Sequence, residues 1–363
     1  MRVEDFLRDS ARRLPGKTAL VAGKRRLSFA ELDVMSDRLA AALADRGIGR
    51  GDRVVVFMEN SFEALVAILA VLKAGAAFTP INPSTKSDEL AFILDNCAVA
   101  GIITQARLAG TTGAAVARAG SVKLVVLAGA GCAPVATGCL SFEAAIATTA
   151  DAPDDVGVAS DLAMLIWTSE STRFADGVTM THQSAVAAVT SIATYLAACE
   201  SDVILSALPL SCEYGLYQAL MTLKVGATLV LESSFTIPMI LNRIAAEKVT
   251  GLPLVPAMEA ILLRKGLEPR NFPHLRYIAT SGPLVTPAHV ARLRELFPSA
   301  RLCSIYGLSP GRPDGELEDF RLPKHVEFDQ ERPRSAPVRG AWDSGTSRGG
   351  NGQIKEERPT WGA

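Results

Sequence analysis

The sequence lacks the features that direct a protein to a membrane or a nucleic acid. Its 37 Lys and Arg residues nearly balance its 38 Asp and Glu residues, so no excess of charge favours a polyanionic partner. No apolar run is long enough to cross a bilayer, and the N-terminal segment has no apolar core of the kind found in signal peptides. We therefore expect a cytoplasmic protein with no membrane span and no nucleic-acid partner.

Cysteine and histidine are scarce, with six and four residues among 363. The cysteines form no C-x-x-C pair and have no histidine at the spacing of zinc ligands, which predicts reduced thiols and no metal bound by such a cluster. Apolar residues are abundant, at 48% of the chain. This composition is typical of a globular protein with a large core, divided into two or three packed units.

Apolar segments alternate between the periods of strands and helices through most of the chain. Ser28 and Glu31 have the spacing of a capping box in front of a helical stripe. A βαβ unit then follows, which consists of strand 54–58, a helix that is predicted to begin at Asn60, and a strand from Ala77. This order implies parallel strands joined by right-handed crossovers, so we predict an α/β fold with doubly wound, mainly parallel sheets.

A hydroxyl-rich loop follows the apolar segment 165–167. Four hydroxyl side chains occur within five residues, namely Thr168, Ser169, Ser171 and Thr172. Open α/β sheets bind ligands at the carboxyl ends of their strands, so this loop is a predicted ligand site. A phosphate site also needs glycine and a cation, whereas Glu170 and Asp176 outweigh Arg173 here. The alternative is a surface turn that binds no ligand.

The same segment resembles the phosphate-binding motif of the AMP-forming acyl-CoA synthetase and adenylation-domain superfamily. That motif is Thr-Ser-Gly-Ser-Thr-Gly-x-Pro-Lys-Gly-Val followed by Thr-His. The matching positions are the four hydroxyl residues above with Gly177, Val178, Thr181 and His182. The departures are Glu170 and Arg173 at glycine positions, Ala175 at the proline and Asp176 at the phosphate-binding lysine.

Other segments resemble further motifs of this superfamily. Segments 27–33, 51–54 and 72–83 are similar to its N-terminal structural motifs. The resemblance assigns the adenine site to Ser281, Gly282, Pro283, Tyr306, Gly307 and Ser309. It also places Tyr214 near the acyl pocket, although a core tyrosine at a strand-to-helix turn explains that residue equally well. Pro310 stands where the superfamily has its magnesium-binding glutamate.

The resemblance implies a reaction and its cosubstrates. A carboxylic acid and ATP would give acyl-AMP and pyrophosphate, and coenzyme A would then replace AMP to give a thioester. Magnesium would accompany ATP, without its usual glutamate ligand because of Pro310. We expect an acyl-CoA synthetase-like ligase impaired by these departures, with no catalytic residue and no metal ligand assigned. The alternative is a non-catalytic protein that binds an acyl or adenylate ligand or a protein partner.

The resemblance also predicts the domain organisation. Residues 1–310 would form the AMP-binding large domain, with two sheet-containing subdomains at about 1–181 and 182–310. Residues 311–363 would be an irregular tail, a remnant of the C-terminal domain, with the third subdomain and most of the lid missing. An apolar surface exposed by that loss would favour a homo-oligomer or a partner chain.

Overall fold

Strands and helices alternate along the chain as their periodicity predicts. The computed structural model describes residues 1–129, 138–149, 151, 153, 157–168, 176–263, 268–281, 287–305 and 326–327. The strands are β1 Thr18–Ala22, β2 Arg25–Ser28, β3 Arg53–Phe57, β4 Ala77–Ile81, β5 Gly101–Gln105, β6 Leu124–Ala128, β7 Gly138–Ser141, β8 Leu162–Thr168, β9 Asp176–Thr181, β10 Val203–Ser206, β11 Thr228–Leu231, β12 Gly251–Leu254, β13 Tyr277–Ser281, β14 Arg301–Ile305 and β15 Val326–Glu327. The α-helices are α1 Asp5–Arg13, α2 Phe29–Ala44, α3 Phe62–Lys73, α4 Ser87–Asn96, α5 Ala109–Val116, α6 Phe142–Ile146, α7 His182–Tyr195, α8 Glu213–Val225, α9 Ile237–Glu247, α10 Pro256–Leu262 and α11 Pro287–Leu296.

These strands form two sheets. Sheet I has the order β7-β6-β5-β3-β4-β8-β9, and sheet II has the order β15-β14-β13-β12-β10-β11-β1-β2. Within the described ranges, neighbouring strands of sheet I are parallel except for the terminal pair β8–β9. Sheet II is parallel except at its two ends, β14–β15 and β1–β2. The predicted fold of two mainly parallel sheets is therefore confirmed.

The largest core lies between the two sheets and is filled by helices. Side chains of sheet I, such as Val56 and Phe78, belong to the same buried cluster as Leu20 and Leu229 of sheet II. Helices α3 and α8 are buried over almost their whole length within this cluster. A helix that is apolar on every side is expected in such a position, since it has no face to present to water.

The helix starts follow their local sequences. At the start of α2 the Ser28 side chain accepts a hydrogen bond from the Glu31 amide at 3.2 Å, and the Glu31 carboxylate accepts one from the Ser28 amide at 2.7 Å. The predicted capping box is thus confirmed. The predicted start of α3 at Asn60 was wrong, because the helix begins at Phe62 and Ser61 is its cap residue, which accepts a hydrogen bond from the Ala64 amide at 3.2 Å. The Asn60 side chain instead forms hydrogen bonds with backbone groups of residues 208, 210 and 232.

The N-terminal hairpin lies in sheet II, although most of sheet II comes from the later part of the chain. Gly23 and Lys24 connect β1 to β2, and Gly23 has a φ of +60°, a conformation that glycine adopts without strain. Strand β1 pairs with β11, where Leu20 faces Leu229. Apart from this hairpin, the strands of sheet I end at Thr181 and those of sheet II begin at Val203. A boundary between subdomains near residue 181 stays a prediction.

The end of the sequence forms a separate unit. The chain divides into residues 1–328 and 329–363, and the second unit lies outside the described residues. Strand β15 extends the first unit beyond residue 310 by pairing Val326 with Ser304 of β14. The rest of the predicted irregular tail is not described, so its connection with a C-terminal domain stays a prediction. No helix in the described ranges combines the length and apolarity needed to cross a bilayer.

Candidate functional site

The hydroxyl-rich loop connects the two antiparallel strands at the edge of sheet I. Thr168 at the end of β8 is paired with Asp176 at the start of β9, so the two ends of the loop lie side by side. Ser169, Ser171 and Thr172 lie outside the described residues. The loop begins at the carboxyl end of β8, which is parallel to β4. Thr168, the first residue of the predicted phosphate site, therefore lies at the carboxyl end of a strand, where parallel sheets bind ligands.

Trp167 lies at the loop end of this hairpin. Its indole N–H donates to Thr79 Oγ1 at 3.1 Å, and the Thr79 hydroxyl donates to the Leu165 carbonyl at 2.8 Å. Gly177 is the cross-strand partner of Trp167, and a Cβ at this glycine would lie 3.5 Å from the indole ring. That is an ordinary contact distance. Steric exclusion therefore does not demand glycine at position 177.

His182, at the end of the motif, is a buried structural residue. It begins α7, and its Nδ1 accepts a hydrogen bond from the Val3 amide at 3.2 Å. Burial lowers the pKa of His182 to about 4, and burial raises the pKa of the neighbouring Glu4 to about 7. The Glu4 carboxylate lies 3.5 Å from His182 Nδ1. The neutral imidazole therefore attaches the N-terminal segment to the base of the hairpin.

Tyr214 lies in the first turn of α8 and contacts sheet II. Its hydroxyl donates to the Ala279 carbonyl of β13 at 2.9 Å. The side chain is buried, and burial raises its pKa well above the ordinary value for tyrosine. The hydroxyl is thus used in a structural contact, as expected for a core tyrosine. A role of the ring in an acyl pocket stays a prediction.

The two predicted adenine motifs follow neighbouring strands of sheet II. Ser281 ends β13 and is paired with Ile305, which ends the parallel strand β14. The two strands that precede the predicted motifs therefore end side by side at the same edge of the sheet. Gly282, Pro283, Tyr306, Gly307 and Ser309 lie outside the described residues. An adenine site formed by these residues stays a prediction.

Sequence reasoning missed Asn60 as a link between the two sheets. Its side-chain amide donates to the carbonyls of Leu208 at 2.8 Å and Glu232 at 2.9 Å, while its oxygen accepts from the Leu210 amide at 2.9 Å. The available signal was a polar residue close behind a buried parallel strand. Its partners could not be identified from the sequence, because they lie 148 to 172 residues away along the chain.

Sequence reasoning also missed the buried carboxylate of Glu259. Only 1% of this residue is exposed, and neither carboxylate oxygen has a hydrogen-bond partner. Burial raises its pKa. Its place in α10, directly after β12, puts it near the same edge of sheet II as Tyr214.

Whether the chain can bind a metal ion depends on the donor atoms that its side chains provide. The described ranges contain no cluster of three or more His, Cys, Asp or Glu side chains that could hold a metal ion. Pro310, at the position of the superfamily's magnesium ligand, has no side-chain oxygen. Residue 310 therefore cannot serve as a ligand to a magnesium ion.

Comparison with known proteins adds independent evidence. A family model described as "AMP-binding enzyme" matches residues 7–313. The chain is 27% identical over 309 residues to bacitracin synthase 1 of Bacillus licheniformis, covering 84% of this chain and 5% of that protein. It is 36% identical over 230 residues to the phosphinothricin tripeptide synthetase PhsC of Streptomyces viridochromogenes, covering 62% of this chain and 19% of that protein. The chain thus spans a small part of the length of these curated relatives.

Solved structures share the architecture described above. The inhibitor-bound N-terminal domain of FACL13 from Mycobacterium tuberculosis superposes with a TM-score of 0.77 at 25% identity, covering 85% of this chain and 76% of that one. Most of the chain therefore takes part in the match.

Proposed function

Because the chain belongs to the AMP-binding enzyme family of adenylate-forming ligases, we propose that it is an acyl-CoA synthetase-like ligase with a lowered rate. A carboxylate oxygen of the acid would attack the α-phosphorus of ATP, forming acyl-AMP as the bond to pyrophosphate breaks. The sulfur of coenzyme A would then attack the acyl carbon, AMP would leave, and the thiol proton would be released. The substrate is a small carboxylic acid.

The pairing of Ser281 with Ile305 supports this proposal most directly, because the strands that lead into the two predicted adenine motifs end side by side. Backbone at the carboxyl edge of a parallel sheet is well placed to approach a nucleotide base. Trp167, whose indole N–H donates to Thr79, lies at the end of β8 that leads into the hydroxyl-rich loop. The residual phosphate site would consist of Thr168, Ser169, Ser171, Thr172 and Gly177.

The lowered rate follows from charge. Asp176 stands at the position of the phosphate-binding lysine, and Glu170 stands at a glycine position of the same loop. Removing one preorganised donor to a developing negative charge typically costs a factor of roughly 10² to 10³ in rate. Two carboxylates next to a triphosphate add repulsion to that loss. Pro310 removes a metal ligand as well.

Pyrophosphate exchange tests the first half of the reaction. The purified chain is incubated with ATP, labelled pyrophosphate and a panel of aliphatic, aromatic and amino acids. Acid-dependent exchange above background, at a rate far below that of a family member with the intact lysine and glutamate, is expected. Exchange at the full rate of such an enzyme would contradict the proposed impairment. Formation of a thioester on adding coenzyme A tests the second half.

The same charge reversal favours a second candidate, a non-catalytic protein that binds an acyl or adenylate ligand. Such a protein would bind a non-hydrolysable acyl sulfamoyl adenosine by calorimetry without supporting exchange. A partner-binding role would instead give a discrete dimer in gel filtration. Binding together with acid-dependent exchange would exclude the non-catalytic candidate.

A further inference from the structure

Asn60 follows a strand of sheet I, and the side-chain hydrogen bonds that it makes in the described structure all go to backbone that follows strands β10 and β11 of sheet II. It lies in the connection from β3 to α3, and its three partners are the carbonyls of Leu208 and Glu232 and the amide of Leu210. Both amide hydrogens are used as donors, and the amide oxygen is used as an acceptor. A side chain with this complete set of contacts holds two chain segments at a fixed distance and orientation.

The Leu208–Leu210 turn in turn determines where α8 begins. The Cys212 amide donates to the Pro209 carbonyl at 2.9 Å, which closes the turn. Gly215 packs against it so closely that a Cβ on Gly215 would lie 2.4 Å from the Pro209 carbonyl oxygen and 2.9 Å from Leu208 Cβ. No real Cβ is tolerated at the first of these distances. A shift of the turn therefore moves the first turn of α8.

The first turn of α8 connects to the edge where the adenine motifs begin. Tyr214 precedes Gly215, and its hydroxyl donates to the Ala279 carbonyl at 2.9 Å. Ala279 lies two residues before Ser281, at the carboxyl end of β13. A continuous series of contacts thus runs from Asn60 through the turn and Tyr214 to the strand that leads into the adenine motif.

We infer that Asn60 is a positioning residue for the acyl pocket, because it fixes the Leu208–Leu210 turn and thereby the place of Tyr214. This inference rests on the proposed function in so far as Tyr214 lines the acyl site. Asn60 acts through the turn and touches no substrate. Ala279 is paired on both sides, with Pro253 of β12 and Cys303 of β14, so a displaced turn moves Tyr214 and leaves β13 in place. The effect of Asn60 is therefore directed at recognition of the carboxylic acid, with ATP binding changed much less.

Hydrogen–deuterium exchange of the full chain tests the positioning directly, without requiring activity. The variants are Asn60→Ala, which removes all three contacts, and Asn60→Asp, which keeps the size and the acceptor but places an oxygen against the carbonyls of Leu208 and Glu232. The matched control is Asn82→Ala, which removes an asparagine amide from an exposed turn where it accepts from the Ser84 amide at 2.9 Å.

Both Asn60 variants are expected to exchange at least about tenfold faster in peptides covering residues 207–216, where the amides of Leu210, Cys212 and Leu216 are hydrogen bonded. Peptides covering β5 and β6 should exchange as in the wild type, and Asn82→Ala should leave residues 207–216 unchanged. Unchanged exchange of 207–216 in the Asn60 variants would overturn the inference. So would an equal acceleration in both sheets, since that is the result of a general loss of stability.

Kinetics then separate positioning of the pocket from the proposed function itself. With an acid identified in the exchange panel, Asn60→Asp should raise the KM for that acid about tenfold while the KM for ATP changes less than about twofold. Equal increases in both values would overturn the assignment to the acyl pocket. If no acid supports exchange in the wild type, the proposed function fails, and hydrogen exchange still decides whether Asn60 positions the Tyr214 turn.

Discussion

At the scale of single residues, two buried ionisable groups, Glu4 and His182, lie where the N-terminal segment contacts the start of α7. Glu4 is buried beside His182 and forms an ion pair with Arg2 at 3.1 Å. Burial disfavours the charged form of each group, which is why the pKa of Glu4 is raised to about 7 while the pKa of His182 is lowered to about 4. The two shifts make stability depend on pH in opposite directions.

The raised pKa of Glu4 gives a prediction for Glu4→Gln. Below the ordinary pKa of about 4.5 the carboxyl is protonated in both the folded and the unfolded chain, so it has no effect there. Between about pH 4.5 and 7 the unfolded chain loses its proton first, so Glu4 lowers stability as pH rises, and above pH 7 the full cost remains. Glu4→Gln should thus be about 1–3 kcal/mol more stable than the wild type at pH 8, with little difference at pH 4.5.

Urea unfolding at the two pH values measures this difference. Glu89→Gln is the control, since Glu89 is an exposed glutamate in α4 and its replacement should change stability by a few tenths of a kcal/mol, about equally at both pH values. The contribution of His182, which destabilises the folded chain as pH falls from about 6.5 to about 4, is common to the compared proteins. A glutamine variant that is less stable than the wild type at pH 8 would contradict the prediction.

The charge of the hydroxyl-rich loop gives a second prediction at this scale. Asp176→Lys combined with Glu170→Gly restores a cation and a glycine at two positions of the phosphate motif and should tighten ATP binding by at least about tenfold, measured by calorimetry. Asp176→Asn combined with Glu170→Gly removes the charge without adding a cation and should give an intermediate affinity. Equal ATP affinity in all three proteins would indicate that this loop is not a phosphate site.

At the scale of elements, structure that depends on residues close in sequence was more predictable than structure that depends on long-range contacts. The capping box of α2 and the parallel strands were predictable because Ser28, Glu31 and the apolar periods act over a few residues. The hairpin β1–β2 was missed although Gly23 and Lys24 are a suitable two-residue connection, because its strands are short and one of them is exposed. The contacts of Asn60 and the pairing of Ser281 with Ile305 depend on tertiary structure, which no local pattern specifies.

The close approach of Gly215 to the 208–210 turn gives a prediction for α8. Gly215→Ala should destabilise the protein by about 1–3 kcal/mol, because its Cβ would overlap the Pro209 carbonyl oxygen and the helix start must move. Gly113→Ala is the control, since Gly113 lies in α5 with open space where the alanine Cβ would stand, and alanine there should stabilise by up to about 1 kcal/mol. Guanidinium unfolding compares the two, and equal effects would argue against a steric role for Gly215.

At the scale of the whole molecule, the two sheets share one helical layer. Helix α3 contacts β3 and β4 of sheet I and β1 of sheet II, and α8 packs on β10 and β11 of sheet II, so one buried cluster joins the two sheets. The predicted domain boundary at residue 310 and the compact unit that ends at residue 328 differ by the segment that contains β15. This short strand pairs with the edge of β14, next to the start of the Tyr306 motif.

The pairing of β15 with β14 predicts that shortening the chain at residue 328 and shortening it at residue 310 have different effects on stability. A chain of residues 1–328 should keep the thermal transition of the full chain to within about 2 °C, whereas a chain of residues 1–310 exposes the edge of β14 and should be less stable and more prone to aggregate. Differential scanning calorimetry and light scattering at equal concentration measure both properties. Equal behaviour of the two shortened chains would show that β15 does not protect this edge.

The place of the N-terminal hairpin has a consequence for how the protein is made. Strand β1 is synthesised before the strand it pairs with, β11, which follows about 200 residues later. At a translation rate of roughly 5–20 residues per second, the edge of β1 stays unpaired for on the order of 10 to 40 s before β11 has been synthesised. Sheet I can assemble during this interval, since its strands are all synthesised before β10. Chaperones that shield exposed strands on the emerging polypeptide are therefore expected to raise the yield of the folded protein.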